Sequence, residues 1–243
     1  MTLIALLAVA STAMPAQSAI TASTVTLRTP GGAIRAEVFE APGTARRPVV
    51  VVLHGAGGTL FDGPEMRRVS RHLAESGNAV YLVHYFNRTA TLFARDRTMQ
   101  RNFGAWRETV RDSIVAIQEL RGDTAPVGIY GYSLGAFLAL FTASDNPRVG
   151  AVVEHAGGVW NGKADRIRKM PPVLMVHGER DARVSFEKYA KPLVPLLRSR
   201  GAPVATRFFP AEGHVFTQDA MVKVRQDAAI FFRQHLGRRS RGS

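Results

Sequence analysis

The segment Val127-Gly128-Ile129-Tyr130-Gly131-Tyr132-Ser133-Leu134-Gly135-Ala136 decides the fold class of this chain. Its centre has the pattern Gly-x-Ser-x-Gly, with an apolar β-type run before it and a helix-forming run, residues 136–143, after it. A serine at a sharp turn between a strand and a helix projects its hydroxyl above the sheet, where it can act as a nucleophile. Glycines on either side leave room where the strand and the helix cross. The segment therefore predicts a nucleophilic Ser133.

The rest of the chain alternates between strand and helix patterns. Buried strands are expected at Val49–Leu53, Ala79–Val83, 149–153, 173–176 and Val204–Phe209, after a hairpin of strands at 24–29 and 34–39. Helices are expected at 64–76, 101–120, 186–198 (broken or kinked by its two prolines) and 219–234. This alternation predicts one α/β domain over residues 20–237, with a doubly wound, mostly parallel sheet flanked by helices. Ligands bind such sheets at the carboxyl ends of the strands.

The two ends of the chain differ from this domain. Residues 1–19 carry no charged side chain, include an apolar run at 3–10 and end in Ala16-Gln17-Ser18-Ala19. This composition predicts a signal peptide cleaved near Ser18 or Ala19, and hence an exported, periplasmic or secreted protein, although the usual basic residue before the apolar run is missing. The alternatives are a disordered or membrane-tethering N-terminus, and a cytoplasmic protein if the leader is not cleaved. Residues 238–243 form a basic tail.

Charge and cysteine content exclude several classes of function. The net charge is +13, but the 27 arginines and 5 lysines are spread along the whole chain, so a nucleic-acid partner is not expected. The chain has no cysteine, which excludes disulfides, thiol nucleophiles and cysteine-based metal sites. After the leader, no apolar stretch is long enough to predict a membrane span. The expected partner is a small molecule.

A serine nucleophile needs a base to accept its proton and a carboxylate to orient that base. In this fold class the chain order is serine, acid, histidine. Asp181 follows the strand at 173–176 in His177-Gly178-Glu179-Arg180-Asp181, with Glu179 and Asp165 as rivals. His214 lies in the loop between the last strand and the last helix, whereas His235 lies on that helix. Ser133, Asp181 and His214 are therefore the predicted catalytic residues.

The remaining predicted site residues follow the ends of other strands. The backbone N–H of Leu134 and that of Ala56 or the adjacent Gly55 are expected to form an oxyanion hole. His54 and His177 each precede a glycine at a strand end and are interpreted as structural residues or as walls of the site, so neither a metal site nor a cofactor is predicted. The aromatic residues Tyr85, Phe86 and Trp160 either pack against neighbouring helices or line a small apolar substrate pocket.

Six motifs together resemble the α/β-hydrolase superfamily and, within it, the dienelactone hydrolase-like proteins. They are His54-Gly55-x-Gly57-Gly58, Arg71-x-Leu73-Ala74-x-x-Gly77-x-x-Val80, His84-Tyr85-Phe86, Gly131-Tyr132-Ser133-Leu134-Gly135, His177-Gly178-x-x-Asp181 and Gly213-His214. The resemblance covers about residues 45–235 and implies hydrolysis of an ester-like acyl bond. True dienelactone hydrolases have a cysteine at the position of Ser133, so their lactone substrate is not carried over.

These observations predict a serine hydrolase that cleaves carboxylic esters through an acyl-enzyme intermediate. The connection at 84–98 and the segment between His155 and Met170 are too short for a large helical lid, which favours esters with short or small aromatic acyl groups. A peptidase of the same superfamily and a non-catalytic binding module on the same fold are the alternatives. The oligomeric state is not predicted.

Overall fold

The computed structural model describes residues 19–43, 46–160 and 162–237, which form a single eight-stranded sheet with helices on both faces. The strands are β1 (Thr21–Thr29), β2 (Gly32–Glu40), β3 (Val49–Leu53), β4 (Ala79–Val83), β5 (Val127–Tyr132), β6 (Val149–His155), β7 (Val173–Gly178) and β8 (Val204–Phe209). Their order in the sheet is β1-β2-β4-β3-β5-β6-β7-β8. The hairpin β1–β2 is antiparallel and β2 pairs antiparallel with β4, whereas every other pairing is parallel.

The part of the chain that the structure describes contains six α-helices. They are α1 (Gly58–Phe61), α2 (Gly63–Glu75), α3 (Asp96–Arg121), α4 (Leu134–Ala143), α5 (Lys191–Ser199) and α6 (Gln218–Leu236). Apolar residues of α3, α4 and α5 form a core with one face of the sheet, and those of α2 and α6 form a second core with the other face. Strand β3 and strand β4 are buried along their whole length, which explains their unbroken apolar sequence. The predicted doubly wound α/β fold is confirmed.

Element boundaries differ from the sequence-based expectation in two places. Helix α3 begins at Asp96 rather than at residue 101. The sequence pattern did not predict this earlier start, because the first turn is mostly polar and carries no apolar periodicity. The helix predicted over 186–198 is a π-helical turn, Phe186–Ala190, followed by α5, with Pro192 in the first turn of α5 and Pro195 inside it. Both differences matter for the site described below, because the start of α3 and the π-helical turn face the same cavity.

Part of the sequence lies outside the described residues. This applies to positions 1–18 of the predicted signal peptide, to the basic tail at 238–243 and to Asn161 in the loop after Trp160. Within the part of the chain that is described, no helix combines the length and the apolar character needed to cross a membrane.

Candidate active site

Ser133 lies at a tight turn between β5 and α4. Its backbone has φ 52° and ψ −120°, a conformation that a side-chain-bearing residue adopts only when the surrounding structure enforces it. The flanking glycines allow that turn. A Cβ on Gly131 would lie 2.3 Å from the carbonyl oxygen of Gly135, and one on Gly135 would lie 2.5 Å from that of Leu53. The Ser133 N–H donates to the His155 carbonyl at 2.8 Å, which fixes the turn to β6.

The structure brings the three predicted catalytic side chains together in a hydrogen-bonded chain. His214 Nε2 is 3.0 Å from Ser133 Oγ, and His214 Nδ1 is 2.7 Å from Asp181 Oδ2. The rival carboxylates Glu179 and Asp165 are exposed and form no ion pair with a described residue. The arrangement has the geometry that a nucleophile, a base and an orienting carboxylate require.

Close approach of two loops positions Asp181 against His214. A Cβ on Gly178, at the end of β7, would lie 2.4 Å from the carbonyl oxygen of Gly213, so only glycine allows this approach. The Arg180 N–H also donates to the Glu212 carbonyl at 2.9 Å. The Tyr132 hydroxyl donates to the His214 carbonyl at 3.1 Å and ties the histidine loop to the end of β5.

The Asp181 carboxylate is held in its charged form. Its side chain is buried, which alone would raise its pKa, but hydrogen bonds from His177, His214 and the Val184 N–H more than offset that cost. The pKa of Asp181 therefore lies well below its usual range. Its other oxygen, Oδ1, accepts from the N–H groups of Arg183 and Val184, each at 2.8 Å. An ionised Asp181 can stabilise an imidazolium at His214.

Two backbone N–H groups face the same space without an acceptor. Neither the Leu134 N–H nor the Ala56 N–H has a hydrogen-bond partner among the described residues, and both residues line the cavity beside Ser133. Gly55, the other predicted donor, is instead hydrogen-bonded to the Asp62 carboxylate, which also accepts from the Gly57 N–H at 3.0 Å. The geometry therefore offers Leu134 and Ala56, at the dipole-positive start of α4 and in the glycine loop, as donors to an oxyanion.

A cavity of about 830 Å³ opens in front of Ser133 and His214. Its walls come from the glycine loop after β3, the first turn of α3, the start of α4, the segment around Trp160, the Asp181 loop and the π-helical turn. Trp160 stacks on Phe137 with ring centroids 4.9 Å apart and meets Phe103 edge-on at 4.4 Å. Tyr189 packs against Phe137 at 5.7 Å. This aromatic cluster is the apolar wall of the cavity.

Tyr85 and Phe86 do not contribute to that wall, so the structure corrects their prediction as substrate-binding residues. Both are buried in the core, and the cavity lining does not include them. The Tyr85 ring stacks on His54 at 4.2 Å and its hydroxyl donates to the His54 carbonyl at 2.7 Å. Phe86 packs against Trp106 at 4.4 Å. They follow the end of β4, but they lie in the 3₁₀ turn Tyr85–Thr89, where both side chains are part of the core.

Sequence reasoning missed several cavity residues. They are Asp62, Arg95, Arg97, Met99, Phe137, Arg183 and Tyr189. Arg183 lies two residues after Asp181, so its position in the same loop was open to prediction. Phe137 lies on α4, one turn after Ser133, and Tyr189 lies on the π-helical turn. Asp62 directly follows α1, and Arg95, Arg97 and Met99 lie at the early start of α3. Burial raises the pKa of Asp62 despite its hydrogen bonds from the glycine loop.

A buried ionisable group lies behind the site. Glu154, near the end of β6, is fully buried, and burial raises the pKa of its carboxyl to about 7. One oxygen accepts from the Gly157 N–H, whereas Oε2 has no partner among the described residues. The next residue, His155, is neutral, since burial lowers its pKa to about 3. No group of described side chains has the composition and placement to hold a metal ion.

The comparisons with known proteins agree with this geometry. The model of the dienelactone hydrolase family matches residues 34–231. The chain belongs to the dienelactone hydrolase family. This membership supports hydrolase activity, and the matched span includes every residue of the hydrogen-bonded chain from Ser133 to Asp181. None of the curated proteins compared with the chain matches it.

Solved structures show the same α/β-hydrolase fold. A dienelactone hydrolase from Anabaena variabilis is 20% identical with a TM-score of 0.72, covering 90% of this chain and 99% of that one. A dienelactone hydrolase-like promiscuous phosphotriesterase from metagenomic libraries is 22% identical, with a TM-score of 0.75 and coverage of 90% and 100%. A hyperthermophilic esterase from Pyrobaculum calidifontis is 19% identical, with a TM-score of 0.71 and coverage of 88% and 85%.

Proposed function

We propose that this family member is a serine hydrolase that cleaves carboxylic esters through an acyl-enzyme intermediate. The observation that carries the proposal is the unbroken hydrogen-bonded chain from Ser133 Oγ through His214 to an ionised Asp181. The chain contains no cysteine, so a thiolate nucleophile is excluded and the hydroxyl of Ser133 takes that role.

The proposed reaction has two halves. Ser133 Oγ attacks the ester carbonyl carbon while His214 Nε2 takes the hydroxyl proton, and the N–H groups of Leu134 and Ala56 stabilise the resulting oxyanion. The tetrahedral intermediate collapses, the C–O bond to the alcohol breaks, and His214 returns the proton to the departing alcohol. A water molecule then gives its proton to His214 and attacks the acyl carbon. The carboxylic acid leaves and Ser133 recovers its proton.

We infer that the acyl group is short or a small aromatic ring. The wall formed by Trp160, Phe137 and Tyr189 offers ring faces and edges for stacking. Among the described residues, the segments that border the cavity include no helical lid of the kind that shields long acyl chains.

Activity-based labelling tests the nucleophile. A fluorophosphonate probe should label the wild-type protein and Ser144→Ala, a matched control with its serine at the far end of α4. It should not label Ser133→Ala. In p-nitrophenyl ester assays, Ser133→Ala and His214→Ala should lower kcat/KM by about 10⁵-fold or more, and Asp181→Asn by about 10⁴-fold. Near wild-type turnover by Ser133→Ala at unchanged stability would disprove the mechanism.

We also propose that the protein is exported, on the strength of the uncharged apolar segment at residues 1–19. N-terminal sequencing of the protein from its native host should then find a chain beginning near Ala19 or Ile20. Soluble cytoplasmic protein that retains Met1 would contradict export.

A further inference from the structure

Large exposed apolar side chains concentrate at the mouth of the cavity. Eight such side chains are exposed among the described residues. Five of them lie within two residues of a cavity-lining residue in the sequence, and one of these five, Val215, lines the cavity itself. These five form what we call the apolar rim: Leu60, Phe61, Leu92, Phe93 and Val215, exposed by 63%, 66%, 73%, 49% and 77%. The other three, Leu120, Val222 and Ile230, lie on α3 and α6 away from the cavity lining.

The rim is one surface rather than five scattered residues. The Ala94 N–H donates to the Ala56 carbonyl at 2.7 Å, which fastens the segment before α3 to the glycine loop. A Cβ on Gly58 would lie 2.1 Å from the Leu92 carbonyl oxygen, so α1 touches the same segment. The rings of Phe61 and Phe93 meet edge-on at 6.3 Å. Val215 directly follows His214, lines the cavity, and lines a second, smaller pocket together with Phe61.

Unpaired positive charge lies beside the apolar rim. Arg95, Arg97 and Arg183 are exposed, line the cavity, and form no ion pair with any described residue. The acidic residues of the lining are Asp62 and Asp96. Asp62 is partly buried, accepts from the Gly57 N–H and interacts electrostatically with Arg183, whereas Asp96 is exposed. Three guanidinium groups therefore outnumber the two carboxylates of the lining. The mouth therefore combines apolar side chains with net positive charge, in a chain whose overall charge is +13.

We propose that the apolar rim docks onto an anionic lipid bilayer, with the cavity mouth facing the membrane. Exposed Phe and Leu side chains at a surface gain free energy when they enter the boundary between head groups and acyl chains. Neighbouring arginines add attraction to anionic phosphates at that depth. A continuous exposed apolar patch with a cationic border fits this occupant, whereas a small soluble ester would contact only the inner wall of the cavity. Docking places the open side of the site where amphiphilic esters are concentrated.

Vesicle binding tests this docking independently of catalysis. Every protein carries Ser133→Ala in the full chain, so that lipid esters are not hydrolysed and the result does not depend on the proposed function. Co-sedimentation is measured with vesicles of phosphatidylglycerol and phosphatidylcholine and with vesicles of phosphatidylcholine alone. Binding should favour the anionic vesicles and weaken as the salt concentration rises. Phe61→Ser/Leu92→Ser should weaken binding to anionic vesicles by about tenfold or more.

Matched variants and a local reporter make the test specific to the rim. Leu120→Ser/Ile230→Ser removes two exposed apolar side chains elsewhere and should leave binding unchanged. Arg97→Gln/Arg183→Gln should reduce both the binding and its salt dependence. A tryptophan introduced by Phe61→Trp should shift its emission to shorter wavelength on anionic vesicles, whereas one introduced by Ile230→Trp should not. Thermal unfolding establishes that each variant is folded.

Three results would overturn the proposal. Equal binding by the rim variant and the control variant would show that another segment, such as residues 1–18, contacts the lipid. An unshifted Phe61→Trp emission on vesicles that bind the protein would exclude the rim from the contact. A concentration-dependent dimer in sedimentation velocity that Phe61→Ser/Leu92→Ser abolishes would assign the rim to a second copy of the chain.

Discussion

Glu154→Gln should stabilise the protein at neutral pH, and the gain should disappear in acid. Glu154 is fully buried, and burial raises the pKa of its carboxyl from the ordinary value of 4.5 to about 7. The folded protein thus holds a proton that the unfolded chain releases at a lower pH. Glutamine keeps the shape of the side chain and its acceptor for the Gly157 N–H, but it never takes the negative charge.

The sign and the size of the stability difference between Glu154→Gln and the wild type follow from the linkage between proton binding and folding. Below pH 4.5 the Glu154 carboxyl is protonated in both the folded and the unfolded state, so it does not lower the free energy of unfolding there. As the pH rises through 4.5 and then 7, the unfolded state ionises first and the wild type loses stability relative to the variant. One pKa unit is about 1.4 kcal/mol, so the full cost, present above pH 7, is about 3 kcal/mol.

Urea unfolding of both proteins at pH 4.5 and pH 8 measures this difference. The free energy of unfolding of Glu154→Gln should match that of the wild type at pH 4.5 to within about 0.5 kcal/mol and exceed it by about 3 kcal/mol at pH 8. Glu108→Gln, a change at an exposed position on α3, is the control and should behave like the wild type at both pH values. A pH-independent difference for Glu154→Gln, or a lower stability at pH 8, would refute a buried carboxyl with a raised pKa.

Three further substitutions test the packing around the site. Gly131→Ala places a Cβ 2.3 Å from a backbone carbonyl oxygen of α4 and should destabilise the fold by about 3 kcal/mol in chemical denaturation. The control Gly104→Ala, at a position on α3 where a Cβ meets no other atom, should be neutral or stabilise the fold by up to about 1 kcal/mol. Tyr85→Phe removes the hydrogen bond to the His54 carbonyl and should cost about 1 kcal/mol of stability without altering the ester chain-length profile, since Tyr85 lies outside the cavity. Trp160→Ala should change that profile in a p-nitrophenyl series from acetate to palmitate, in which the wild type should prefer the short esters. A wild-type preference for palmitate, or a profile that Trp160→Ala leaves unchanged, would contradict the proposed acyl wall.

The sequence by itself determined the fold class and the order in which the serine, the carboxylate and the histidine of the site follow one another along the chain. Buried parallel strands require continuous apolar runs, so β3 and β4 are visible without coordinates. The turn at Ser133 requires glycines at fixed spacing, so a short sequence pattern is enough to locate the serine. Asp181 and His214 follow from chain order, because each lies in the loop after a recognisable strand.

The tertiary structure alone decided which residues share the cavity. Asp62 and the first turn of α3 reach it through the fold of α1 and the early start of α3, neither of which leaves a periodic pattern. Tyr85 and Phe86 follow a strand end as Trp160 does, but a 3₁₀ turn buries the first two. Side-chain direction after a strand depends on the backbone angles of the next few residues and on the space that neighbouring helices leave. Those quantities are set by packing between segments distant in sequence, so no local pattern records them.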